Sequence, residues 1–205
     1  MSIEARLSEL GLELPKAAAP VASYVAAVEH GGMLYISGQL PFIDGTLMTG
    51  KLGDASSPDG RTMAEGQEAA KACGIMLIAQ MKAALGDLDR VERIVKLGVF
   101  AASTPEFVDQ PKVANGASNL MEEVFGEAGK HARSAVSVPV LPLNATVEID
   151  AIVAHLYGLS RAEFAHILST FPLVFPESSE GQAKQSALLA EYDTWQAKVE
   201  GWSRA

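Results

Sequence analysis

The sequence predicts an α+β sandwich, with helices on one face of a mixed sheet and a helical C-terminal extension. Three observations carry this expectation. Alternating and helix-spaced apolar segments recur in the order strand, strand, helix, strand, helix, strand, strand. Glycine, proline, asparagine or aspartate separates most of them, as turns require. Beyond Gly158 the texture changes to linker and helix, which divides the chain into an α+β domain over 1–157 and an appendage over 158–205.

The elements follow in order. Ile3, Leu7 and Leu10 share one face of a short helix ending at Gly11, with Pro15 shortly after. An Ala/Pro-rich connector over 16–20 leads to Tyr24-Val25-Ala26-Ala27-Val28 and Met33-Leu34-Tyr35-Ile36-Ser37. These read as two strands of a hairpin turning at Gly31-Gly32. Residues 45–60 are rich in Gly, Asp, Ser and Pro and read as a loop. The longest helix spans 62–85 and stops at Gly86, with Ala69, Cys73, Met76, Leu77 and Met81 on one face. Val95, Leu97 and Val99 then alternate in a strand over 94–100. A second helix, capped by Ser103 or Thr104, runs from Pro105 to Phe125 with an interruption or kink at Pro111. Strands over 134–141 and 146–153 follow, joined through Pro142-Leu143-Asn144. In the extension, Ser160-Arg161-Ala162-Glu163 is a capping-box pattern opening a helix to about Phe171. A linker to Gly181 and a helix over 185–202 complete it, with Trp195 and Trp202 on one face.

Composition narrows the function classes. Of 205 residues 48% are hydrophobic, enough for a real core and against global disorder. Lys and Arg number 16 against 25 Asp and Glu, a net charge of −9, and no Lys/Arg-rich run occurs. Phosphate backbones are bound by clustered cations, so no nucleic-acid partner is expected. Cys73 is the single cysteine, which leaves no intrachain disulfide and no cysteine-based zinc site. Residues 1–15 carry three glutamates and no apolar signal core, and no apolar run approaches the roughly 20 residues of a membrane span. A cytoplasmic protein without a membrane partner is the expectation.

Candidate chemistry lies on the last two strands of the domain. With a period of two, Val136, Val138 and Val140 share one face, with Arg133, Ala135 and Ser137 opposite. Val147, Ile149, Ala151 and Val153 share a face of the next strand, with Glu148 and Asp150 opposite. If the apolar faces meet the helices, Arg133 and Glu148 project to the helix-free side. Solvated outward charges explain this equally well, unless another subunit covers that face. An arginine fork there binds a carboxylate, and a neighbouring acid positions or deprotonates a water. In a simple hairpin turning near Leu143, Arg133 lies opposite Ile152, about four residues or ~13 Å from Glu148. Either a bulge changes the register or the two residues meet across a subunit boundary.

Several motifs resemble the Rid (YjgF-like) reactive-intermediate deaminase family. They are Tyr24-Val25, the Ser37-Gly38-Gln39 strand end, and Asp87-Leu88-Asp89-Arg90-Val91 running to Val99. The strongest are His131-Ala132-Arg133-Ser134-Ala135-Val136 through Leu141-Pro142 to Val147-Glu148-Ile149-Asp150-Ala151-Ile152. The resemblance spans about 7–153 and is nearest to a longer branch, with its Asn115-Gly116-Ala117-Ser118 helix. It implies a chorismate-mutase-like fold, a homotrimer with clefts between subunits, and hydrolysis of 2-imino and enamine acids to 2-keto acids and ammonia. It implies no metal and no organic cofactor. Arg133 matches the carboxylate-binding arginine, Glu148 the water-positioning acid, and Tyr24 the tyrosine that closes the pocket. Ser37 and Gly38 match the strand end facing substrate. Asn115 matches the helix asparagine with one extra residue of spacing to the arginine. Ala135 stands where many members carry cysteine, so substrate preference is open while the arginine-centred mechanism is not affected.

Other features weigh less. Cys73 reads as a buried inert thiol, and His30, His131, His155 and His166 show no metal-ligand spacing. His131 reads as a loop residue that could line the cleft. The segment from His155 to Val174 resembles the tail of some restriction-modification adenine methyltransferases, without their catalytic motif; it implies a packing appendage. The rival function on the same fold is a non-catalytic, regulatory protein that binds a small carboxylate.

Overall fold

The computed structural model describes residues 1–19, 22–54, 56–155, 165 and 179–202, the last stretch by backbone alone at 179–180 and 195–202. The chain divides into two compact units, Ile3–Leu156 and a second made of Met1–Ser2 with Tyr157–Ala205.

In the first unit, α1 (Ile3–Glu9) buries Leu7 and ends ahead of Gly11, whose φ of 65° only glycine adopts freely. Strands β1 (Ala27–His30) and β2 (Met33–Gln39) form the expected hairpin. Its two turn residues, Gly31 and Gly32, have φ of 60° and 75°, the positive pair that matches the twist of a hairpin. β1 begins at Ala27 rather than Tyr24: its ladder with β2 ends at the Ala27–Ile36 pair, and the register of β2 against β9 shifts just beyond it, between Ile36 and Gln39. Residues 40–61 hold two small pairs: β3 (Phe42–Ile43) with β4 (Thr46–Leu47), and β5 (Lys51–Leu52) with β6 (Gly60–Arg61).

Helix α2 (Met63–Leu85) is capped as its sequence demands. The Thr62 hydroxyl accepts from the Glu65 amide while the Glu65 carboxylate accepts from the Thr62 amide, and Gly86 closes the far end. β7 (Val91–Ala102) leads to α3 (Gln110–Phe125). Pro111 does not kink this helix; it lies in the first turn, where a missing N–H costs nothing, and residues 105–109 stay outside. β8 (Ala132–Val138) and β9 (Val147–His155) complete the sheet.

The strand order is β1-β2-β9-β7-β8, antiparallel throughout except for the parallel pair β7–β8. The final two strands therefore do not form the simple hairpin considered above: β7 lies between them, because β7-α3-β8 is a crossover that sets β8 parallel at the edge. One face of the sheet packs on α2 and α3. Leu34, Leu97, Val99, Ile149 and Val153 meet Leu77, Ile78, Met81, Leu120 and Met121, all at 1% exposure or less.

In the second unit, α4 (Ser179–Trp202) starts earlier than the expected 185, inside the segment read as linker. The capping-box helix falls outside the described residues apart from Ala165, which is helical. The side chains of Trp195 and Trp202 are likewise outside them. Among the described residues, no helix is long and apolar enough to cross a membrane.

Candidate functional site

Register decides which side chains share a face. Arg133 pairs with Leu97, which is fully buried against the helices, so Arg133 and Ala135 also turn to the helix side. Val136 pairs with Phe100 on the opposite face and is 45% exposed. This reverses the expected facing of β8. The apolar Val136 predicts a core-facing position, but an edge strand buries neither face fully. Polar groups on α3 draw the guanidinium inward instead. For β9 the expectation holds: Val147, Ile149, Ala151 and Val153 are buried, and Glu148 and Asp150 lie on the helix-free side. Arg133 and Glu148 of one chain thus occupy opposite faces of the sheet.

The guanidinium is held closely. Arg133 Nη1 donates to Asn115 Oδ1 and to Ser118 Oγ, each at 2.9 Å, and Nη2 donates to the Pro111 carbonyl at 3.0 Å. Five N–H hydrogens are available, so Nε–H and one Nη2 hydrogen have no partner among the described residues. Asn115 meets the arginine despite its unusual spacing from it. Ser118, at the end of the Asn115-Gly116-Ala117-Ser118 motif, is a contact that the sequence reading misses; its i, i+3 relation to Asn115 is the signal that puts both on one helix face. The Pro111 carbonyl is a backbone group that leaves no mark in side-chain patterns. Beside Arg133, a cleft of about 470 Å³ is lined by Ser118, Glu122, Gly129, Lys130, His131 and Arg133 itself.

The helix-free face carries the acids. Glu148 lies over Gly38, where any Cβ would collide with its carboxylate, and Asp150 lies over Gly98 in the same way. Gly38 is therefore a close-approach position, covered by Glu148. Partial burial, and secondarily the Asp150 charge, push the Glu148 carboxyl above its ordinary 4.5. The β2 bulge beneath it is pinned by Gln39, whose Nε2 donates to the Ser37 and Gly38 carbonyls at 2.8 and 3.2 Å; Gln80 Nε2 in turn donates to Gln39 Oε1. Ser37 Oγ donates to the Val25 carbonyl at 2.9 Å, fastening the segment that carries Tyr24, whose ring is half exposed. A groove of about 560 Å³ crosses this face, bounded by Tyr35, Ser37, Phe100, Val136, Asp150 and Ile152. Cys73 is fully buried, and burial first, then Glu148, pushes its thiol well above the ordinary range, so it is inert as a nucleophile.

A five-stranded mixed sheet backed by two helices, with a braced arginine at its edge, defines a chorismate-mutase-like α+β class. Residues 4–156 match the model of the family described as "YjgF/chorismate mutase-like, putative endoribonuclease". The chain belongs to this family. It is 54% identical to protein TCP17 of Trypanosoma cruzi, over 74% of this chain and 92% of that one. A crystal structure of an Agrobacterium tumefaciens protein of unknown function is 48% identical, with a TM-score of 0.67 over 75% of this chain and 92% of that one. A relative named 2-iminobutanoate/2-iminopropanoate deaminase, from Dermatophagoides farinae, is 29% identical over 69% of this chain and 93% of its own length.

Proposed function

We propose that the protein hydrolyses 2-imino and enamine acids to 2-keto acids and ammonia, in sites formed between copies of the chain in a homotrimer. The observation that carries this reading is the Arg133 guanidinium, braced by three oxygens with two N–H hydrogens left for a ligand carboxylate. A small acid gripped there presents its 2-carbon at a fixed distance. Glu148 supplies the acid–base group: a carboxylate whose proton affinity is raised takes a proton from water more readily. Water adds to the imine carbon, Glu148 accepts its proton and returns it to nitrogen. Glu148 then carries the hydroxyl proton of the resulting carbinolamine to nitrogen: the oxygen electron pair forms the C=O bond while the C–N bond breaks and its electron pair leaves with ammonia. Arg133 and Glu148 of one chain lie on opposite sheet faces, so the pair is completed across a subunit boundary. Tyr24 closes the pocket, Ser37 and Gly38 form its strand-end wall, and Ala135 lies two residues along from Arg133 where a smaller side chain widens it. The relative named as a deaminase supports the reaction class. The family description also mentions an endoribonuclease, and a net charge of −9 gives RNA no electrostatic attraction.

The test couples the protein to a pyridoxal-phosphate dehydratase and follows the imine trapped as its semicarbazone. The expected result is accelerated imine loss that drops about a hundredfold or more in Arg133→Ala. Unchanged decay together with saturable keto-acid binding means a carboxylate sensor instead. RNA cleavage that survives Arg133→Ala belongs to another site.

A further inference from the structure

We propose that Ser118 and His131 form a directed hydrogen-bond relay that orients Arg133, which makes them positioning residues for carboxylate recognition. The inference rests on the reading of Arg133 given above. The chemistry of the atoms fixes the direction of the relay. His131 Nδ1 lies 2.6 Å from the Gly129 carbonyl, which accepts only, so Nδ1 carries a hydrogen. In the neutral ring Nε2 is then a bare acceptor, 3.0 Å from Ser118 Oγ, so the serine hydroxyl donates to it. That turns a lone pair of Ser118 Oγ toward Arg133 Nη1, 2.9 Å away, and arginine donates only. In the neutral tautomer with its hydrogen on Nδ1, every polar atom from the guanidinium to the Gly129 carbonyl has one role.

The relay explains why a serine suffices. In a helix a serine hydroxyl can turn back to the carbonyl four residues earlier, and its oxygen then swings with it. With the hydroxyl hydrogen committed to His131, Oγ is fixed as an acceptor for Nη1. Asn115 and Pro111 fix the other side of the guanidinium, so the two unbonded hydrogens keep one direction. The charged and polar side chains that line the cleft with the imidazole are Ser118 and Glu122 from α3, Lys130 from its own segment, and Arg133 from β8. Lys130 pairs with Glu127 and Glu122, and its carbonyl accepts from Arg93.

Two measurements on the full-length protein test this. The first needs no ligand: ¹⁵N NMR of the His131 ring reads its tautomer. The expected spectrum shows a protonated Nδ1 and a bare Nε2, with the Nε2 signal displaced in Ser118→Ala; a proton resident on Nε2 overturns the relay. The second measures KM and kcat for the trapped imine, with 2-oxobutanoate as the binding probe. Ser118→Ala and His131→Leu are expected to raise KM and the probe's Kd roughly five- to twentyfold, with kcat within about twofold. Ser118→Thr and His131→Gln, which restore a hydroxyl and an acceptor, recover most of the affinity. If Arg133→Ala abolishes binding while Ser118→Ala and His131→Leu bind as the unaltered chain does, the relay is refuted and the carboxylate site stands. If Arg133→Ala is also without effect, the carboxylate site is refuted, and the NMR result decides the relay by itself.

Discussion

Strands β8 and β9 bring the two principal residues of the proposed site, and they are held in opposite ways. β9 is central, between β2 and β7, and every second residue from Val147 to His155 is buried. Glu148 projects from a strand whose other face is locked in the core, so its position follows from packing. β8 is the edge strand, parallel to β7, and none of its residues is fully buried. Arg133 is positioned by hydrogen bonds from its head group to α3 rather than by its backbone's burial. A site built this way places its acid through the hydrophobic core and its cation through a polar network.

The largest effect that sharpens this contrast comes from the β9 core face. Ile149 is fully buried. Ile149→Ala should lower the unfolding free energy by about 3–4 kcal/mol in urea titration, the sum of lost transfer energy and a cavity. A loss under ~1 kcal/mol would show that β9 does not anchor Glu148 through the core.

Gly38→Ala comes next. The new methyl group meets the end of the Glu148 side chain, a flexible obstacle, so the stability loss should be about 1 kcal/mol. The carboxylate must move, however, and kcat for the imine should fall about tenfold or more while the probe's affinity for Arg133 is retained. Equal losses in kcat and affinity would mean that Gly38 supports the arginine side as well.

Glu148→Gln should act in the opposite direction on stability. Partial burial and Asp150 raise the folded carboxyl's proton affinity above that of the unfolded chain. The folded state therefore binds more protons from pH 4.5 upward to its raised value, and stability falls as pH rises through that interval. The glutamine variant lacks this penalty. It should be more stable at neutral pH by under about 1 kcal/mol after solvent screening, with the difference vanishing below the interval. Equal stability at both ends of a pH-dependent unfolding series would remove the proposed strain on the carboxylate.

The same contrast explains what was legible in the amino-acid order. Gly31-Gly32, Gly86 and the alternation from Val147 to Val153 each have a local physical cause, and each is realised where the pattern places it. Glu148 was readable as facing away from the core because its neighbours at 147 and 149 had only one place to go. The facing of Arg133 was not readable, because Val136, Val138 and Val140 look more like a core stripe than Arg133, Ala135 and Ser137 do. Only the crossover that inserts β7, together with acceptors from α3, reverses that preference. Those are long-range facts with no local signal. Pro111 shows the same limit at smaller scale: a helix-breaking residue reads as a kink until the helix start is known.

Val136→Ser is the smallest expected perturbation of a single chain and the most informative about its neighbours. Val136 is 45% exposed, on a groove it shares with Tyr35 and Phe100, so within one chain the change should cost only a few tenths of a kcal/mol. Arg133 and Glu148 of one chain lie on opposite sheet faces, and the proposed trimer gives the exposed apolar side chains of the helix-free face, Val28, Tyr35 and Val136, a partner surface. A hydroxyl placed there loses apolar burial only when copies associate. Light scattering over a dilution series should show the variant dissociating at higher concentration than the unaltered chain, with unchanged far-ultraviolet circular dichroism. Identical dissociation would place the contact between copies on another surface, and the completion of the arginine–glutamate pair would have to be sought there.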